Sequence, residues 1–228
     1  MATLPIRKYA VNFGKLFLVG LVLFFSYLMG EIIVPYLSGR TDIDFLQTKQ
    51  SIVHLKHYMW AFYLHIFSSL YVLLAGVTQF SRYFIVKYPK IHRWVGIGYV
   101  FVILFISAPG AWVMSYYANG NVVSRINFGL LTTLWWLFTF WAFTSIKKRK
   151  VVAHADWMIR SYALTLSAVT LRIYQYLLGY FHTYNPLGVV DTYVALSFIS
   201  WIPNLLVAEW LIRQQGISKK ILVGRVQK

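Results

Sequence analysis

The residues able to do chemistry interrupt long apolar segments of the chain. They are histidines, arginines and one amide: His65, His92, His154, Arg160, Arg172 and Asn204. Such groups in apolar surroundings cost free energy unless they are paired, hydrogen bonded or hydrated. The imidazoles suggest haem or metal ligation, and the guanidinium groups suggest anion binding. A buried structural contact is the alternative for each of them.

The fifth apolar segment carries the most regular polar pattern. An α-helix turns by about 100° per residue, and this puts four polar residues on one line: His154, Ser161, Thr165 and Arg172. We expect this face to look into the protein, because lipid would not hydrate it. Arg160 points elsewhere, and its four-residue spacing from Asp156 predicts an ion pair between the two side chains.

Polar groups also interrupt the second and third segments. The second carries His65 and Gln79, and the third begins with His92 and Arg93. A neutral buried imidazole is the alternative to a ligand role for His65, and a hydrated residue at the membrane surface is the alternative for His92. Both alternatives stay open on the sequence alone.

The first and last segments add an acid and an amide. Asn204 follows Pro203, which we expect to kink the sixth segment and free a backbone carbonyl. Glu31 lies near the end of the first segment and is one of two acids within the apolar segments. We expect Glu31 to pair with a basic group such as Arg172.

Composition places the chain in a lipid bilayer. Hydrophobic residues make up 59% of its 228 residues and charged residues 12%, and the mean hydropathy is +0.60. A spanning helix needs about 20 apolar residues, and six such segments occur, at 14–36, 58–80, 93–117, 126–146, 155–180 and 191–212. We predict a single-domain, six-helix transmembrane bundle whose main partner is the bilayer.

The basic residues predict how this bundle is oriented. The net charge is +16, yet Lys and Arg lie in the connectors rather than on one soluble basic surface, so we expect no nucleic-acid partner. Connectors and termini on one side hold sixteen of them and those on the other side hold four. Cytoplasmic loops are enriched in Lys and Arg. Both termini are therefore predicted to be cytoplasmic.

Several of these segments resemble one protein family. The motifs are His65 with Gln79, HRWVGIGY at 92–99, HADWMIRSYALTLSAVTLR at 154–172 and WIPNLLVAE at 201–209. They resemble bacterial predicted membrane proteins catalogued as domain of unknown function 2306, over about residues 65 to 209. The resemblance implies a bacterial cytoplasmic membrane and marks seven matching positions: His65, His92, Arg93, His154, Arg160, Arg172 and Asn204. The overall plan is also similar to small di-haem membrane cytochromes.

Three functions remain open on the sequence. The first is a membrane oxidoreductase with haem b or a metal held by His92 and His154, with His65 as a further candidate ligand. The absence of Cys excludes every Cys-ligated cofactor. The second is a transporter or a lipid- or anion-binding protein that uses Arg172, Arg160 and the polar line. Neither an internal repeat nor a pair of broken helices is predicted to support transport. The third is a subunit of a membrane complex.

Overall fold

The protein is described by a computed structural model that covers the backbone of residues 4–180, 189–214 and 216 and the side chains of residues 19–81, 83–178, 191–214 and 216. The described part is mostly α-helical and contains no strand. Five helical stretches are long and apolar enough to cross a membrane: Val19–Ser38, Lys56–Gln79, Pro89–Tyr116, Val122–Lys147 and Asp191–Arg213. The predicted class of α-helical membrane bundle is confirmed.

The helices follow one another with short connections. Their bounds are α1 Leu4–Ile33, α2 Asp44–Gln47, α3 Lys56–Gln79, α4 Arg82–Lys87, α5 Pro89–Val102, α6 Ala108–Tyr116, α7 Val122–Lys147, α8 Val151–Thr165, α9 Ser167–Tyr180, α10 Val189–Ile199 and α11 Ile202–Arg213. Asn121 begins α7, since its side chain accepts hydrogen bonds from Val123 N and Ser124 N at 2.9 and 3.4 Å. A π-helical turn at Ile103–Ser107 joins α5 to α6.

Two predicted spans are broken. The segment predicted as one helix over 155–180 forms α8 and α9, which are separated at Leu166, and neither half is long enough to span alone. The segment 191–212 breaks after Ile199 and resumes at Ile202, with Pro203 in the first turn. A proline is tolerated there because the first helical N–H groups lack intrahelical partners. The predicted kink at Pro203 is confirmed. The sequence predicted no pair of broken helices, and this prediction is wrong.

Small residues let the helices approach closely. A Cβ added at Gly110 would lie 2.7 Å from the Ala61 carbonyl oxygen, so α6 and α3 meet backbone to backbone. A Cβ at Gly76 would lie 2.0 Å from Cζ of Tyr162, whose hydroxyl donates to the Leu73 carbonyl at 2.9 Å. The ring of Tyr162 on α8 therefore lies against α3 in the space that a side chain at position 76 would occupy.

Gly76→Ala should destabilise the protein, because the added carbon has no room beside the Tyr162 ring. Overpacking of this kind costs about 2 kcal/mol. The measurement is the midpoint of thermal unfolding in mild detergent. Gly20→Ala is the matched control, since no atom lies within 4 Å of its added carbon. Equal midpoints for the two variants would contradict the close fit of Tyr162 against α3.

Candidate ligand-binding cavity

A cavity of about 260 Å³ lies between α1, α3, α6, α7, α9 and α10. Most of its wall is apolar, with Met29, Ile32, Phe62, Leu131 and Leu171 among the lining side chains. Polar side chains also line it, among them His65, Ser69, Asn119, Thr165, Arg172 and Gln175. Mostly apolar walls with a few placed polar groups are typical of small-molecule sites.

His65 reaches the cavity from α3 with one ring nitrogen engaged. Its Nδ1 lies 2.9 Å from the carbonyl oxygen of Ser107, in the π-helical turn. A carbonyl only accepts, so Nδ1 donates the hydrogen, and in the neutral ring Nε2 is the acceptor. Ser69 Oγ lies 3.0 Å from Ser107 Oγ. The π-helical turn thus fixes the ring and supplies the hydroxyl of Ser107 beside it.

A buried hydroxyl network connects Thr165 to the two neighbouring helices. Tyr99 OH on α5 lies 2.8 Å from Ser161 Oγ and 3.1 Å from Thr165 Oγ1 on α8. Thr139 Oγ1 on α7 lies 2.7 Å from Ser161 Oγ, and Trp135 Nε1 donates to Thr165 Oγ1 at 3.0 Å. The polar line of the fifth segment therefore faces inward at both Ser161 and Thr165, and the structure gives Trp135 a polar contact that the sequence did not suggest.

Arg172 lies half-buried on the cavity wall without an acidic neighbour. Its Nη1 donates to Oε1 of Gln175 at 2.9 Å. The expected pairing with Glu31 is wrong, because Glu31 is exposed and no ion pair joins the two side chains. Within the described residues, no carboxylate lies within ion-pair distance of Arg172. The cavity therefore carries a cation that these residues do not neutralise.

Arg160 is held away from the cavity by a partner that the sequence did not reveal. Its Nη2 donates to Oε2 of Glu209 at 3.0 Å, its Nε donates to Oε1, and its guanidinium lies 4.6 Å from the ring centre of Trp157. Glu209 also pairs with Arg213. The ion pair with Glu209 joins α8 to α11, and no local spacing predicts it because Glu209 comes close only in the folded bundle. This contact leaves Arg160 outside the lining of the cavity. The pair between Arg160 and Asp156 stays a prediction.

Asn204 joins the two broken helices. Its Nδ2 lies 2.9 Å from Thr170 Oγ1 on α9, and 3.3 Å from the carbonyl oxygens of both Ala163 and Ser200. Those carbonyls lie at the two breaks, where regular helical hydrogen bonding is interrupted. An amide that reaches both breaks compensates for this in a medium without water. Asn204 does not line the cavity.

A haem between two histidines does not fit the cavity. His65 is the one histidine among the described lining residues, so a second imidazole is missing there. His92 and His154 lie elsewhere: His154 Nδ1 is bonded to the Ala142 carbonyl at 2.9 Å, and Gln79 Nε2 donates to the His92 carbonyl at 3.1 Å. Arg93 is exposed. In the described part of the chain, no group of three or more His, Asp or Glu side chains is placed to hold a metal.

Lys49, in the connector 39–55, is bound to Asn119, a residue that lines the cavity. Its ammonium donates to Asn119 Oδ1 and the Tyr117 carbonyl, and Asn119 donates in turn to Tyr193 OH at 3.2 Å. Only 4% of Lys49 is exposed. Burial lowers the pKa of this side chain from 10.5 to about 8, helped by the charge of Arg125. From the sequence alone, Lys49 is one of the charged residues of a connector. No local pattern predicts that its side chain is buried.

Lys49 should make stability depend on pH. The unfolded chain keeps its Lys proton up to about pH 10.5, whereas the folded protein releases it near pH 8. Between these values the unfolded state binds more protons, so the free energy of unfolding rises with pH, by about 3 kcal/mol between pH 7 and pH 10.5. The measurement compares denaturant unfolding of the wild type and Lys49→Met from pH 7 to pH 10.5. A difference between them that stays constant over this window would contradict burial of the charge.

The comparisons with known proteins agree with this architecture. No curated protein and no solved structure matches the chain. Residues 62–212 match the family described as "Predicted membrane protein (DUF2306)". The matched region holds most of the cavity, including His65, Thr165 and Arg172. Because the match spans more than half of the chain, the protein belongs to this family of predicted membrane proteins.

Proposed function

We propose that the protein binds a small amphipathic anion inside the membrane. The observation that carries the proposal is Arg172, a cation on the wall of an apolar cavity with no carboxylate within ion-pair distance among the described residues. A charge within a bilayer protein costs free energy unless an opposite charge or water compensates it. An anionic ligand would supply that compensation, and its apolar part would lie against the wall.

The surroundings of Arg172 favour a single planar anionic group such as a carboxylate. The bond to Gln175 uses one of the five guanidinium N–H donors and fixes the orientation of the side chain. A guanidinium group binds a carboxylate through two parallel hydrogen bonds. The amide N–H groups of Gln175 are further donors at the same place. One cation beside one amide suits a monoanion better than a doubly charged phosphate.

The other end of the cavity supports an elongated ligand. Thr165, at the end of α8, and Arg172, on α9, both line the cavity, on either side of the break at Leu166. His65, Ser69 and Thr165 form this deeper end, and each is already held by a hydrogen bond within the protein. The wall between the two ends is apolar, as the chain of an amphiphile requires.

Transport is a second candidate function, and the paired helix breaks favour it. Leu164, Thr165 and Ser167 beside one break and Ser200 at the other line the cavity. Broken helices around a central site are a common element of secondary transporters. Uptake of the anion into vesicles that contain the protein would distinguish transport from binding alone.

The membrane arrangement is part of the same proposal. We place the protein in the bacterial cytoplasmic membrane with both termini in the cytoplasm and with α8 and α9 together forming a sixth crossing. The distribution of Lys and Arg among the connectors supports this orientation. The cavity then lies in the outer half of the membrane, away from the basic cytoplasmic side.

Arg172→Gln should abolish ligand-dependent stabilisation. Laurate at about 100 times its dissociation constant should stabilise the wild type by about 2.7 kcal/mol, or a few degrees in the unfolding midpoint. The uncharged dodecanol should have a much smaller effect because it cannot neutralise Arg172. The readout is thermal unfolding in mild detergent.

The matched control is Arg40→Gln, which removes the same charge from an exposed side chain outside the cavity. It should respond to laurate as the wild type does. Equal stabilisation of the wild type and Arg172→Gln by laurate would overturn the proposal. Equal effects of laurate and dodecanol would overturn the role given to charge.

A further inference from the structure

The connector 39–55 covers one side of the cavity. Phe45 lines the cavity, and its backbone N–H donates to Tyr36 OH at 3.0 Å. The bonds from Lys49 to Tyr117 and Asn119 fasten the same connector to the turn between α6 and α7. Access from the aqueous phase on this side would require these contacts to break.

Between α1 and α9, side chains of both helices line the cavity, but each of these helices packs mainly against other helices. Met29 and Ile32 of α1 and Leu171 of α9 line it, yet α1 packs along α3 whereas α9 packs against α8 and α10. Within residues 19–38, only three side chains are buried, Ser26, Ile33 and Tyr36. The first helix is therefore held mainly from one side, and its contact with α9 is not closely packed.

We propose that the ligand enters sideways from the lipid, between α1 and α9, and that it is a single-chain lipid anion of the fatty-acid type. This inference rests on the proposed function. The cavity volume of about 260 Å³ lies just below the range of roughly 300–1,000 Å³ that is typical of small-molecule sites. It therefore suits part of a single chain, and the remainder of a longer chain would extend through the gap between α1 and α9 into the bilayer. Arg172, on the α9 side of the gap, is placed to receive the carboxylate.

A cross-link between the two helices tests this route. The natural chain has no Cys, so Ile32→Cys and Leu171→Cys introduce the only thiols, which a short bis-maleimide can join. The probe is a photoreactive palmitate analogue in phosphatidylcholine vesicles, and labelling is quantified by mass spectrometry. Cross-linking before the probe is added should slow labelling at least tenfold. Cross-linking after loading should trap the probe and slow its release to a similar degree.

Leu23→Cys with Tyr27→Cys is the control, because both side chains are exposed on α1 and one turn apart. Joining them modifies α1 without tying it to α9, so exchange of the probe should not change. Met29→Cys with Leu171→Cys is the replacement if the first pair does not fold.

The outcomes separate this inference from the proposed function. Unchanged entry into the cross-linked protein would overturn the lateral route while binding itself stands. Failure of the probe to label the unlinked protein at the cavity would overturn both.

Discussion

Hydrogen bonds between buried hydroxyl groups are the constraint on which this bundle depends. A bilayer supplies no water to polar side chains, so Tyr99, Thr139, Ser161 and Thr165 must find partners among themselves. They do so at distances of 2.7 to 3.1 Å, which fixes the spacing of α5, α7 and α8. Trp135 completes the network from α7. Any shift of α8 along its axis would leave several of these groups unpaired, at a cost of about 1–3 kcal/mol each.

The same requirement explains why irregular backbone is tolerated within the bundle. The π-helical turn leaves carbonyl groups to be paired, and side chains reach two of them: His65 bonds to Ser107, and Trp136 donates to Leu104 at 3.1 Å. Asn204 does the same at the breaks of the fifth and sixth segments. The cavity lies beside these irregular segments, since Ser167 and Ser200 line it. His65, which bonds to the π-helical turn, is also one of its polar lining groups.

The sequence predicts the features that follow from local pattern. Apolar length located the five stretches that are long enough to span a membrane, whereas the sixth predicted span, 155–180, forms two shorter helices. Helical spacing correctly predicted that Ser161 and Thr165 face inward. The break at Leu166 was not predictable, since neither Gly nor Pro marks it. Glu209, the partner of Arg160, lies 49 positions further along the chain. Asn119, which binds the buried Lys49, lies 70 positions away from it. Such contacts exist only once the helices have packed, so no spacing rule reveals them.

The central claim is that the cavity beside Arg172 holds an amphipathic anion. An experimental structure of the protein, purified from its native membrane without added lipid and determined at a resolution that separates side chains from ligands, tests it most directly. The account predicts elongated density along the apolar wall, with its polar end in contact with Arg172 and Gln175. A cavity closed by its own side chains, or an acidic residue of the protein paired with Arg172, would contradict it.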